Sequence, residues 1–133
     1  MRFLARQTTL DTMKLRVRGN SIRLRLTQTE VATLLATGAV EECLNFPTGE
    51  ALRYRLERAT AADTAARLCD GKIVIRFPAA IVDRWGQSAE VSMQAEQPLG
   101  GGESLRLLVE KDFRCLSPRD DEDDADLFPN PAD

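Results

Sequence analysis

The 133-residue sequence predicts an α+β domain built on an antiparallel sheet of about eight strands, strongly curved or closed into a barrel, with two short helices. Apolar and polar residues alternate along much of the chain, which is typical of strands with one buried face. Gly19-Asn20 and Asp70-Gly71 separate pairs of such strands and favour two-residue hairpin turns. We expect closure because a barrel removes the unpaired edges that an open sheet exposes.

The clearest predicted hairpin is residues 14–27, KLRVRGNSIRLRLT. With Gly19-Asn20 as its loop, the register places three pairs opposite each other: Val17 and Ile22, Arg16 and Arg23, and Lys14 and Arg25. Like charges directly across a ladder destabilise it. Carboxylates of neighbouring strands, a bound anion or open water must therefore offset these charges.

Helix signals follow at two places. Thr27 and Glu30 fit a capping box that begins a helix over 28–37, and Gly38 suits its end. Pro78 suits the first turn of a second helix over 78–85. The apolar faces of these elements predict a core of Leu15, Val17, Ile22, Leu24, Leu34, Leu52, Leu56, Ile73, Ile75, Trp85, Leu105 and Leu107.

The two halves of the chain have the same element order, a hairpin, a helix and two strands. Four pairs lie 51 residues apart: Ile22 and Ile73, Arg25 and Arg76, Leu34 and Trp85, and Val40 and Val91. After a last loop two residues longer in the second half, LRYRLE at 52–57 matches LRLLVE at 105–110. The spacing predicts an internal ββαββ duplication with pseudo-repeats 14–58 and 65–113, although two β-rich halves also resemble each other by chance.

Charge divides the chain into three parts. Residues 1–12 lack periodicity and are expected to be a loose extension, with Met13 as a candidate initiator. Residues 13–117 are expected to form one α+β domain, and residues 118–133 an acidic disordered tail. Residues 13–119 carry 16 Lys and Arg against 13 Asp and Glu, a net charge of +3, whereas residues 120–133 carry seven acids and no base.

Composition also limits chemistry and location. The chain has no histidine, so histidine bases and ligands are excluded. Cys43, Cys69 and Cys115 form no CxxC motif and are expected to be reduced thiols. No secretory signal or membrane-spanning run is evident, and we expect a cytoplasmic protein without a membrane segment.

The polar face of the predicted sheet has an excess of basic residues. It holds ten basic and four acidic side chains: Lys14, Arg16, Arg18, Arg23, Arg25, Arg53, Arg55, Arg67, Arg76 and Arg106, and Glu41, Glu57, Glu96 and Glu110. This face is either a solvated surface with Arg–Glu pairs or a concave, tubular basic surface that collects phosphate oxygens. Nucleic acid is a disfavoured partner because aromatic residues are 5% of the chain and the patterned ones fall on apolar faces.

Three functions remain open. The sequence determines neither whether the protein is an enzyme nor its oligomeric state. The first is non-catalytic binding of a phosphorylated small molecule or polyanion, without a cofactor, through Arg16, Arg23, Arg25, Arg53, Arg76 and Arg106. The second is a phosphate-anhydride hydrolase that holds Mg²⁺ or Mn²⁺ with Glu57, Glu96 and Glu110. The third is a protein-interaction domain whose arginines form structural Arg–Glu ladders.

The sequence also has two resemblances to known families. MKLRVRGNSIRLRLTQTEV, LRLLVEKDFRCL and DDADLFPNP resemble a family of short bacterial proteins of unknown function, over nearly the whole chain from Met13. This resemblance implies no activity and no site residues. At the level of fold alone, the duplicated unit with charged strands is similar to the triphosphate tunnel (CYTH) phosphatases, whose first strand carries a metal-binding ExExK motif. Residues 14–18 read KLRVR instead, so the resemblance does not extend to metal-dependent hydrolysis.

The acidic tail provides a first prediction. Because it is tethered to a basic body, it meets that body at an effective concentration that approaches the millimolar range for a short flexible linker. If the arginine face binds anions, truncation after Arg119 will strengthen polyanion binding, most clearly at low salt, where charges are least screened. Titration of both chains with tripolyphosphate checks this. Equal affinities at low salt would show that the tail only solubilises the chain.

Overall fold

The computed structural model describes residues 12–113. The predicted eight strands and two helices are confirmed. In chain order they are β1 (Lys14–Val17), β2 (Ser21–Leu26), α1 (Gln28–Thr37), β3 (Ala39–Asn45), β4 (Ala51–Ala59), β5 (Ala65–Cys69), β6 (Lys72–Pro78), α2 (Ala79–Gly86), β7 (Ser92–Gly100) and β8 (Glu103–Lys111). Neither helix in this part of the chain could cross a membrane. The extension and the acidic tail expected from the sequence lie outside the described residues, apart from position 12.

The strands form two four-stranded sheets. Sheet A has the order β1-β2-β8-β7, and sheet B has the order β3-β4-β6-β5. The central pair of each sheet, β2 with β8 and β4 with β6, runs parallel, and the outer pairs run antiparallel. The prediction of one antiparallel sheet is therefore wrong, and no closed barrel is found among residues 12–113. Side chains alternate with the same period in parallel and antiparallel strands. The alternation therefore could not show whether two strands that are distant in sequence pair in parallel or antiparallel.

The register of the first hairpin is confirmed. Arg16 lies opposite Arg23, and Lys14 lies opposite Arg25. Gly19 alone of the Gly-Asn pair has a positive φ, of 55°, and glycine adopts such an angle without the steric conflict that a Cβ causes. The turn therefore sets the like-charge pairs that the sequence predicted.

Both helices begin and end close to the predicted residues. The Thr27 Oγ1 atom accepts a hydrogen bond from the Glu30 backbone N–H at 3.2 Å, and the Glu30 carboxylate accepts one from the Thr27 N–H at 2.9 Å. This is the predicted capping box, and Gly38 ends α1 with a φ of 94°. Pro78 precedes α2 as its N-cap without a side-chain cap. The Trp85 indole N–H donates to the Val91 carbonyl at 3.1 Å, which ties α2 to the segment before β7.

Apolar residues of both sheets and both helices meet in one core. Of the predicted core, the buried members are Leu24, Leu34, Leu56, Ile75, Trp85 and Leu107, whereas Leu15, Ile22, Ile73 and Leu105 pack against it while partly buried. Leu52 is half-buried. Val17 is 61% exposed, so its predicted place in the core is wrong, because it ends β1 beside the turn, where the opposite sheet does not cover it. The buried residues that the prediction missed are Met13, Leu26, Val31, Val40, Phe77, Val82, Met93 and Val109.

Hydrogen bonds also join the two sheets. The Tyr54 hydroxyl of sheet B donates to the Met13 carbonyl beside sheet A at 2.8 Å. The Gln97 side chain of β7 accepts from the Ala66 N–H at 2.8 Å and donates to the Thr64 carbonyl at 2.7 Å. Because the facing sides of both sheets are joined through one core, the arginine-bearing sides face outward. We call them the outer face of sheet A and the outer face of sheet B.

The two sheets have equivalent registers. A residue of β1 or β2 corresponds to the residue 51 positions later, in β5 or β6. A residue of β7 or β8 corresponds to the residue 53 positions earlier, in β3 or β4. With these offsets, the strand pairs of sheet A become those of sheet B. By this rule Val40 corresponds to Met93, and both are buried, whereas Val91 lies outside β7 and is 51% exposed. The predicted match of Val40 with Val91 is therefore wrong, since the two extra residues of the second half precede β7.

The core provides a second prediction. Leu24→Ala removes a fully buried side chain, whereas Leu68→Ala makes the same change at a position that is 73% exposed. We expect Leu24→Ala to lower the free energy of unfolding by about 2 to 5 kcal/mol, because it leaves a cavity. Leu68→Ala should change it by less than about 0.5 kcal/mol. Urea unfolding of both variants checks this, and similar losses would contradict the assigned core.

Candidate anion-binding site

The outer face of sheet A carries three rows of side chains across its strands. From the turns toward the opposite end, the rows are Arg18, Ser21, Arg106 and Glu96; then Arg16, Arg23, Leu108 and Gln94; then Lys14, Arg25, Glu110 and Ser92. Residues in one row are side by side on neighbouring strands, about 4.8 Å apart, and successive rows are about 7 Å apart. Basic side chains of three strands therefore lie within reach of one another.

Carboxylates neutralise the row farthest from the turns. The Arg25 Nε atom donates to the Glu110 carboxylate at 3.2 Å, and the Arg23 Nε atom lies 3.6 Å from the same oxygen. The Lys14 Nζ atom is 3.1 Å from the Asp112 carboxylate. In this part of sheet A, the like charges of the first hairpin are offset by Glu110 and Asp112, which are far from the hairpin in sequence.

The two rows nearer the turns are different, because they hold arginines that contact no carboxylate among residues 12–113. Within the described part of the chain, the arginines without an ion pair to a described carboxylate are Arg16, Arg18, Arg67 and Arg106. Three of these four, all except Arg67, lie at the turn end of the outer face of sheet A. All three are exposed. Their guanidinium groups are therefore available to an anion from solution.

A depression of about 390 Å³ lies at this end, lined by Arg18, Asn20, Ser21, Ser104 and Arg106. It forms because parallel pairing of β2 with β8 brings the two hairpin turns of sheet A together. The Arg106 backbone N–H donates to the Asn20 carbonyl at 2.9 Å, which fixes the first turn against β8. The Ser104 hydroxyl donates to the Glu96 carboxylate at 3.3 Å, so the depression offers two guanidinium groups and the Ser21 hydroxyl, which suit the oxygens of a phosphoryl group.

The outer face of sheet B is largely neutralised. Glu41 lies 3.2 Å from Arg55, 3.4 Å from Lys72 and 3.9 Å from Arg53. Glu57 binds Arg55 and, at 2.8 Å, Arg76. A hydrogen bond from Arg55 is the main cause that lowers the pKa of Glu57, and Arg76 contributes. Partial desolvation acts to raise the pKa of Glu41, but hydrogen bonds from Arg55 and Lys72 outweigh it, so that this pKa is also lowered.

The six arginines that the sequence nominated are therefore divided between two faces. Four of them, Arg16, Arg23, Arg25 and Arg106, lie on sheet A, and the other two, Arg53 and Arg76, lie on sheet B and contact carboxylates. The hairpin-turn residues Arg18 and Ser21, and also Ser104, line the depression but were not nominated from the sequence. The Gly19-Asn20 turn signal lies between Arg18 and Ser21, but only the parallel pairing shows that Ser104 and Arg106 join them.

The carboxylates nominated for a metal are not brought together. Glu57 lies on sheet B, whereas Glu96 and Glu110 lie on sheet A in different rows. Among residues 12–113, no three His, Cys, Asp or Glu side chains are placed to hold a metal ion. Cys43 and Cys69 are exposed free thiols, and Cys115 lies outside the described residues.

A larger groove of about 540 Å³ lies between α1 and the end of β8, away from the arginines. Its walls include Val31, Leu35 and Phe113, together with Lys111 and Asp112. The Lys111 ammonium already donates to the Ser88 carbonyl at 2.7 Å and lies 5.6 Å from the centre of the Trp85 ring. Asp112 is paired with Lys14. The charges of this groove are engaged, so it is the weaker candidate for ligand chemistry.

The ion pairs of Glu57 provide a third prediction. Because its pKa is lowered from 4.5 in the folded chain, the carboxylate stabilises the fold above its unfolded pKa, and this contribution is lost as pH falls through the folded value. We expect Glu57→Gln to lower stability at pH 7, with the difference from the parent chain vanishing well below pH 4.5. Urea unfolding across this range checks it. The exposed Glu103→Gln is the control, and a pH-independent loss in Glu57→Gln would contradict the ion-pair interpretation.

Comparison with known proteins gives a family but no function. No curated protein matches the chain, and no solved structure matches it, so the resemblance to tunnel phosphatases gains no support from either comparison. One family model matches residues 13–132, beginning at the methionine that opens the first predicted strand. Since the match spans most of the chain, this protein belongs to a family of unknown function (DUF7009).

Proposed function

We propose that this chain is a non-catalytic domain that binds a phosphate-bearing anion at the turn end of the outer face of sheet A. Its ligands would be the guanidinium groups of Arg16, Arg18 and Arg106 and the hydroxyl group of Ser21, while the Ser104 hydroxyl donates to Glu96 at the edge of the site. One observation carries the proposal: three of the four arginines without a carboxylate partner within residues 12–113 gather at this end.

The physical reason is the unbalanced charge. Arg16 lies opposite Arg23. Within the described chain, Arg23 contacts one carboxylate, that of Glu110 at 3.6 Å, and this carboxylate is also paired with Arg25. Like charges held side by side repel, and an anion that bridges them converts this repulsion into attraction. Guanidinium groups bind phosphate oxygens in a bidentate geometry, and such charge-assisted bonds are stronger than neutral ones. The site therefore has both the charge and the donors for a phosphoryl group.

Comparison of the two halves supports the same location. We infer that the halves arose by duplication, because their registers are equivalent and the Arg25–Glu110 pair of sheet A recurs as Arg76–Glu57 in sheet B. Two site residues have an arginine at the equivalent position, Arg67 for Arg16 and Arg53 for Arg106. The residues that line the turns differ, because Arg18 corresponds to Cys69, Ser21 to Lys72 and Ser104 to Ala51. The candidate anion site is thus a feature of sheet A, and not a consequence of the arrangement that the two sheets have in common.

The surroundings favour a phosphorylated small molecule over nucleic acid. No aromatic side chain lies in the three rows on the outer face of sheet A, so bases would have nothing to stack on there. Phe46 and Phe113, which are 47% and 62% exposed, lie outside these rows. Phosphate recognition by arginine and serine alone does not require such rings.

The test of this function is a fourth prediction. Arg106→Ala should weaken binding of inorganic phosphate about tenfold at low salt, because a hydrogen bond to a charged group contributes roughly 1.5 kcal/mol or more. Arg67→Ala is the matched control, since it removes from sheet B an exposed arginine that has no ion pair within residues 12–113. Isothermal titration calorimetry with each variant checks the difference.

Other outcomes favour the other functions. Equal loss in both variants would indicate attraction by net charge alone and would contradict a defined site. Binding that requires Mg²⁺ or Mn²⁺ and releases phosphate from tripolyphosphate would support the hydrolase. No binding of inorganic phosphate or tripolyphosphate under any condition would favour the protein-interaction domain.

A further inference from the structure

We infer that the ligand is a phosphate monoester whose organic part carries hydroxyl groups next to the phosphoryl group, as in a polyol or sugar phosphate. This inference rests on the proposed function and identifies the class of ligand. Its basis is a second depression, of about 370 Å³, that adjoins the anion site. Ser21 and Arg106 line both depressions, so one ligand can occupy the two together.

The second depression has the chemistry of a polyol site. Its side-chain walls on β7 and β8 are Gln94, Glu96 and Leu108. Leu107 also lines it, but this side chain is buried in the core, so that only its backbone can form part of the floor. An amide and a carboxylate bind hydroxyl groups, and Leu108 provides an apolar surface for C–H groups. This combination suits a compact molecule with both hydroxyl and C–H faces.

Glu96 is the residue that selects for such a ligand. It lies directly opposite Arg106 on the ladder, yet the two side chains form no ion pair in the described chain. The Ser104 hydroxyl donates to its Oε1 atom at 3.3 Å, and its Oε2 atom has no partner within residues 12–113. A free carboxylate oxygen beside an anion site repels bare phosphate. A hydroxyl group attached near the phosphoryl group would donate to this oxygen and offset the repulsion.

The extent of the cationic surface favours a small ligand over a long polyanion. The row that contains Arg18 and Arg106 ends at Glu96, and the next row ends at Leu108 and Gln94. In these rows β7 contributes no cation, so the basic surface spans only three strands, or about 10 Å. That width matches one phosphoryl group with a small organic body. A polyphosphate chain would extend past the arginines toward a carboxylate.

The fifth prediction separates phosphate from polyol recognition. Glycerol 3-phosphate and propyl phosphate have the same carbon skeleton length, but only the first carries hydroxyl groups. We expect calorimetry at low salt to show glycerol 3-phosphate binding about fivefold more tightly than propyl phosphate. In Glu96→Ala, inorganic phosphate and propyl phosphate should bind more tightly, and the advantage of glycerol 3-phosphate should fall below about twofold.

Glu103→Ala is the control, because Glu103 is an exposed carboxylate near the same turn that lines neither depression. Equal binding of the two esters, with no effect of Glu96→Ala, would overturn the inference and leave phosphate binding intact. Tighter binding of tripolyphosphate than of glycerol 3-phosphate to the parent chain would also overturn it. If none of the phosphates binds, the proposed function fails, and the inference fails with it.

Discussion

The parallel pairing of β2 with β8 holds the two halves of the chain together in sheet A. It joins residues 85 positions apart, such as Arg25 and Glu110, and so connects the first hairpin to the end of the described chain. The equivalent pairing of β4 with β6 does the same for sheet B. Because each sheet draws two strands from each half, neither half can form its sheet alone. Both sheets then contribute their apolar sides to one core.

This pairing also distributes charge. Each parallel pair places a glutamate next to an arginine at the same register position, Glu110 beside Arg25 and Glu57 beside Arg76. On sheet B a second carboxylate, Glu41, contacts the remaining central cations. On sheet A the position equivalent to Glu41 is Gln94, which carries no charge. The imbalance at the turn end of sheet A follows from this difference.

The outward orientation of the arginines affects how strongly they can attract an anion. A tunnel would surround a ligand with low-dielectric walls and strengthen each contact, whereas an open sheet face leaves its charges in water. Binding at such a face depends strongly on salt, because exposed charges are screened over about 8 to 10 Å at physiological ionic strength. We therefore expect any selectivity of the proposed site to depend on the donors and acceptors around Arg106, including Glu96, more than on total charge.

Local structure could be predicted from the sequence. The hairpin register at Arg16 and Arg23, the Thr27 capping box and the positions of both helices were predictable, because each depends on residues only a few positions apart. The predicted core was right where alternation continued into the middle of a strand, as at Leu24, and wrong at Val17, where the strand ended.

The arrangement of the sheets and the grouping of the arginines became visible only in the folded structure. Alternation identified the arginine-bearing sides of the strands, but it could not determine which arginines would meet a carboxylate. Arg25 forms an ion pair with Glu110, the residue opposite it on β8, whereas Arg106 forms none within the described chain, although Glu96 lies opposite it on β7. Contacts between strands so distant in sequence depend on how the whole chain pairs and packs, and no local pattern contains that information.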